Sequence, residues 1–126
     1  MSRILCLCLL VACGSEPSPV EKCDDLVDLV CDRAVQCIPR EAGSHVTCVQ
    51  QLQQVLPCGS VKAVSASYDR CMDQLAADSC PVLFPIDPQT GGPMLELPAD
   101  CMSVVLTREL GGEMPLAELT IAGAWQ

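Results

Sequence analysis

The chain has 126 residues, a formal charge of −9, half of its residues hydrophobic and only three aromatic side chains, Tyr68, Phe84 and Trp125. That acidic balance argues against nucleic acid as a partner, because Lys and Arg must neutralise phosphates, and against electrostatic docking on anionic lipid. The length fits one domain. A small core of Val, Leu and Ala is marginal without covalent bracing.

The first segment is a leader. Met1-Ser2-Arg3 gives a positive start, and Ile4 to Ala12 is apolar, with cysteines counted as small hydrophobes. This run is far below the roughly 20 residues that span a bilayer and within the roughly 7–15 of a signal-peptide core. Gly14-Ser15-Glu16-Pro17-Ser18-Pro19 follows, polar and interrupted by two prolines, and suits a flexible tether. Leu10-Val11-Ala12-Cys13 resembles the lipobox of bacterial lipoproteins. The resemblance implies cleavage before Cys13 and attachment of diacylglycerol and palmitate-like acyl chains to that cysteine. Two or more such chains hold a protein stably on a membrane. Gly14, in the position where Asp retains many lipoproteins at the inner membrane, favours the outer membrane. The competing readings are a buried N-terminal element and a signal peptide that is cut elsewhere to release a soluble protein. After cleavage, six basic residues face sixteen acidic ones.

From Glu21 to Cys37 the pattern is helical. Cys23, Leu26, Val27, Val30, Cys31, Ala34 and Ile38 recur at three- and four-residue steps. Asp24, Asp28 and Asp32 form a stripe beside them, Asp24 and Asp25 fall in the first turn, and Pro39 stops the helix. Ser44 is a candidate N-cap for a second helix to Leu56, with His45, Cys48, Val49, Leu52, Val55 and Leu56 on its apolar side. Ser60 can cap a third, reaching Ala76, whose face is Val61, Val64, Tyr68, Cys71, Met72 and Leu75. Five prolines and Gly91-Gly92 between Cys80 and Pro98 rule out a long regular element there. Val82-Leu83-Phe84 and Met94 to Leu97 could pair as one short β-hairpin. Pro98-Ala99-Asp100 reads as the start of a fourth helix through Val104, Val105 and Arg108 to Leu110, closed by Gly111-Gly112. The expected organisation is a signal peptide over 1–12, the lipidated cysteine and tether over 13–20, the domain over 21–112 and a tail over 113–126.

Eleven cysteines are present. The leader would take Cys6 and Cys8, and lipid Cys13. The remaining eight are Cys23, Cys31, Cys37, Cys48, Cys58, Cys71, Cys80 and Cys101. An even number in an exported chain implies a disulfide framework of up to four bridges. The fold class expected is therefore a mostly α, disulfide-stapled domain of three to four helices with a Pro-rich loop. Helices 1 and 2, joined by a short loop, should be antiparallel neighbours. That register places Cys31 opposite Cys48 and Cys23 opposite Cys58. Cys80 with Cys101 would close the Pro-rich loop, leaving Cys37 with Cys71 by elimination.

The region after Cys13 also resembles the small cysteine-rich lipoproteins of myxobacteria and related delta-proteobacteria. Cys31-Asp32-Arg33 with Cys37, and Leu97-Pro98-Ala99-Asp100-Cys101, carry the likeness. It implies location and a disulfide-bonded helical fold, and no activity. No catalytic chemistry is evident. His45 is the single histidine and lacks a nucleophile in any recognisable motif, so a structural role is favoured. The Asp stripe reads as a solvated face, since calcium prefers loops that supply six or more oxygens. No Cys-x-x-Cys pair suggests zinc or redox catalysis. The expected protein is a non-enzymatic, lipid-anchored envelope protein, facing the periplasm or cell surface, without cofactor or metal. Its expected partners are membrane lipid through the covalent anchor and an envelope protein, with the 81–98 loop as the binding surface. The alternative is a secreted disulfide-rich inhibitor or toxin-like module.

Overall fold

A computed structural model describes residues 14–107 and 112–113. The segment expected to be a leader, Cys13, Arg108 to Gly111 and residues 114–126 with Trp125 lie outside the described residues. Within them the domain is mostly helical and disulfide-stapled, as its apolar periodicity predicts.

The central element is α1 (Pro19–Cys37), which packs against every other helix and strand that builds the core's first half. It starts two residues before the predicted Glu21. Ser18 forms the N-cap: its hydroxyl accepts from the Glu21 N–H at 3.2 Å, and the Glu21 carboxylate accepts from the Ser18 N–H at 2.7 Å. This reciprocal pair satisfies two of the helix's orphan donors. The acidic residue of the first turn is thus Glu21, while Asp24 and Asp25 sit one turn further in. The helix thus takes in Pro19 and Val20, which the sequence reading assigns to a tether. Cys23, Leu26, Val27, Val30, Cys31 and Ala34 are its buried stripe.

The Ser18 backbone N–H, aided by the Ser18 side chain, holds the Glu21 carboxyl below its ordinary range. A lowered folded value adds stability above the unfolded pKa and loses it as pH falls through the folded one. Glu21→Gln is therefore expected to melt below wild type at pH 7, with the gap closing as pH drops beneath the carboxylate range. Ser18→Ala is expected to cost about 1 kcal/mol. Thermal melts across that pH window check both.

Pro39 ends α1 and opens a single turn, α2 (Pro39–Ala42). Gly43 closes it at φ 66°, a left-handed conformation that needs glycine. Then α3 (His45–Val55) follows, capped by Ser44, whose hydroxyl accepts from Thr47 N–H at 3.1 Å.

The predicted third helix divides. Cys58–Ser60 is a 3₁₀ turn and Val61–Val64 is a strand, β1. Only Tyr68–Ala77 is helical, as α4. Val61 and Val64 are β-branched and favour an extended chain. The Ser65 hydroxyl accepts from Ser67 N–H at 3.3 Å, and the Ser65 carbonyl accepts from Tyr68 N–H at 3.1 Å. Such local bonds compete with a helix. The period of 3.6 is real from Tyr68 onward, where Tyr68, Cys71 and Leu75 are buried.

Over its described residues the predicted fourth helix is also absent. Ala99–Cys101 forms one 3₁₀ turn, Ser103 adopts φ 59°, and Val105–Thr107 is strand β2. A left-handed residue interrupts helix, and Val104, Val105 and Thr107 suit a strand. β2 pairs antiparallel with β1, Val64 opposite Val105 and Val61 opposite Thr107, with an irregularity between Val61 and Ala63. Gly112–Glu113, strand β3, pairs antiparallel on the other side of β2, so Gly112 extends a strand instead of closing a helix.

Between these lies α5 (Cys80–Leu83), a single turn with Pro81 near its start. Val82-Leu83-Phe84 is therefore not a hairpin strand. The chain still doubles back, one step further out. Ile86 bridges Pro93 antiparallel, Met94 N–H donates to the Pro85 carbonyl at 2.9 Å, and Glu96 N–H to the Leu83 carbonyl at 2.8 Å. Asp87 holds the tip. Its carboxylate accepts from Gln89 N–H at 2.8 Å and from the Thr90 hydroxyl at 3.0 Å. Gly91 turns the chain at φ 71°.

Candidate interaction surface

All eight candidate cysteines are bridged. Cys23 is bonded to Cys58 and Cys31 to Cys48, the two pairs read from the helix-hairpin register. The other two pairs are exchanged relative to expectation: Cys37 joins Cys80, and Cys71 joins Cys101. The 3₁₀ turn carrying Cys101 packs directly on α4, which carries Cys71. Cys80, at the start of α5, then meets the end of α1 at Cys37.

His45 reaches back across the hairpin. Its Nε2 lies 3.3 Å from the Asp28 carbonyl, 3.3 Å from an Asp32 carboxylate oxygen and 3.7 Å from one of Asp28. Gln53 Nε2 donates to the Asp24 carboxylate at 3.3 Å. The Asp24, Asp28 and Asp32 stripe is thus the seam where α3 lies along α1. Among the described residues, no group of three or more acidic, histidine or cysteine side chains could hold a metal ion.

Arg33, from the Cys-Asp-Arg motif, is a tie between elements. Its Nη2 donates to the carbonyl of Asp78, the C-cap residue of α4, and Nη1 donates to Gln36 Oε1 at 2.9 Å. A guanidinium at a helix C-terminus satisfies an orphan carbonyl and complements the dipole. Sequence reasoning did not find this contact, because Asp78 is 45 residues away.

Two apolar features distinguish the surface, and both involve the Pro-rich loop. First, Val82, Ile86 and Met94 are half of the large apolar side chains that remain exposed among the described residues, at 55, 64 and 39%. Second, Leu95 and Leu97 from the loop's return border a small, shallow aliphatic groove that opens to solvent. Leu26, Val27 and Val30 of α1 form its floor with Leu52 and Leu56 from α3 and its cap. Every lining side chain is aliphatic, so the groove offers area without a hydrogen-bonding group. The loop is therefore an apolar rim seated on a rigid base: Leu83 is fully buried and Phe84 is 5% exposed.

Among the described residues, no helix is long and apolar enough to cross a membrane. Comparison with protein-family models, with curated proteins and with solved structures finds no match.

Proposed function

We propose that this chain is a lipid-anchored envelope protein whose braced domain presents the 81–98 loop to a protein partner. The anchor reading rests on Leu10-Val11-Ala12-Cys13 and the tether behind it. The binding reading rests on one observation: apolar exposure concentrates on a loop whose root is fixed by a bridge at Cys80 and by the buried Leu83. Binding residues gather on loops that a rigid scaffold positions. Recognition would be chiefly apolar, with the acidic domain surface excluding anionic partners.

The test has two arms in native membranes. Cys13→Ala is expected to abolish palmitate labelling and to move the protein wholly to the soluble fraction. Label retained by that variant, or absent from wild type, removes the anchor reading. Ile86→Asp with Met94→Asp is expected to leave the melting temperature unchanged and to weaken in-envelope crosslinking at least tenfold. Crosslinking unchanged in that variant removes the loop as the binding surface and leaves the anchor standing.

A further inference from the structure

The four bridges differ in how they meet solvent. Cys23, Cys31, Cys48, Cys71 and Cys101 have no exposed surface, and Cys58 has 3%. Cys37 and Cys80 are only partly buried, each with some surface open to solvent. They are also placed at element ends: Cys37 is the last residue of α1, and Cys80 is the first residue of α5. Thiol–disulfide exchange needs a thiolate to reach a sulfur. A sealed bridge offers none until the chain opens, at a cost approaching global unfolding in a core, whereas element ends open with little cost.

We propose that the Cys37–Cys80 bridge is a thiol–disulfide exchange site, open to a dithiol reductant in the folded protein while the other three bridges stay oxidised. One thiolate of the dithiol attacks one sulfur of the bridge. The Cys37–Cys80 bond breaks, a mixed disulfide forms, and the other cysteine leaves as a thiolate. The reductant's second thiol then displaces the bound cysteine. Two electrons pass from the dithiol to the bridge, both its protons end on the Cys37 and Cys80 thiols, and the reductant departs as its own disulfide.

The consequence is local. Two ties join the end of α1 to the α4–α5 junction: this bridge, and the Arg33 guanidinium on the Asp78 carbonyl. Reduction leaves the second, and the buried Leu83 and Phe84 keep the loop docked. Residues 79–82 loosen, and the rest of the domain keeps three bridges. This site stands on burial and position alone and is independent of the lipid anchor and of any partner.

The experiment uses the oxidised full-length protein, with any free thiols first blocked by N-ethylmaleimide. Dithiothreitol is added at neutral pH, aliquots are quenched with iodoacetamide, and peptides are mapped by mass. Carbamidomethyl is expected on Cys37 and Cys80 at least ten times faster than on any other cysteine, with unchanged far-ultraviolet circular dichroism during that phase. Another pair reacting as fast, or all eight cysteines reacting in one cooperative step, overturns the proposal. Cys37→Ser with Cys80→Ser is expected to lack the fast phase and retain three bridges; a fast phase surviving in that variant overturns it equally.

Discussion

Replacing Cys71 and Cys101 together by alanine is expected to lower stability by at least about 3–4 kcal/mol, a fall of roughly 15–25 °C in melting temperature for a domain of this size. The bridge closes 30 residues, and the entropy that it removes from the unfolded chain sets that scale. The same reasoning applied to Cys37 and Cys80, which close 43 residues, gives a value only about 0.3 kcal/mol larger. Loop length therefore barely separates the two, and burial decides. Cys71 and Cys101 are wholly buried between α4 and the 3₁₀ turn, so deleting their sulfurs also leaves a void. Val104 and Val105, both fully buried, follow directly and hold β2 against β1. The Cys71/Cys101 variant should melt below the Cys37/Cys80 variant in non-reducing thermal scans. The reverse order would mean that unfolded-chain entropy, not packing, ranks these bridges.

What could be read from the sequence follows the range of the interactions involved. The helix hairpin was legible because its signals are local. Periodic apolar residues run from Cys23 to Ile38, Pro39 ends the run, and Ser44 caps the next helix. Once the register is antiparallel, Cys31–Cys48 and Cys23–Cys58 follow from geometry. Pairing across β1 and β2 joins residues more than 40 positions apart, and no local pattern announces it. By spacing Val61 and Val64 fit a helical stripe, since residues three apart in a regular strand point to opposite faces. Their β-branching was the sign that should have counted, as it should have at Val104, Val105 and Thr107.

Closing the Pro-rich loop pairs Cys101 with Cys80; the 3₁₀ turn that carries Cys101 sits instead on α4, beside Cys71. The candidate surface was legible only as a location. Proline and glycine density marks 81–98 as a loop, yet which of its side chains are sealed depends on α5. A single turn from Cys80 sends Leu83 inward and leaves Val82 outside. The groove was not legible at all, because its lining comes from three separate segments that meet only in the folded chain.

The sharpest check on that geometry is the neighbouring pair Val82 and Leu83. Leu83→Ala is expected to cost about 2–5 kcal/mol, the range for emptying a sealed leucine site. Leu83 has no exposed surface, and its backbone carbonyl receives the Glu96 N–H at 2.8 Å, so the residue that anchors the outgoing limb by its side chain also holds the return limb by its backbone. Val82→Ala, at a side chain 55% exposed, should stay within about 0.5 kcal/mol of wild type. The two differ by one step along the chain, yet one is sealed and the other is exposed. Denaturant titration gives the two stabilities, and amide hydrogen exchange over 85–96 reads the loop. Exchange there should quicken in Leu83→Ala and stay unchanged in Val82→Ala. If Val82→Ala proved the costlier substitution, α5 would have to present its opposite face to the core, and the loop's exposed apolar rim would be lost with it.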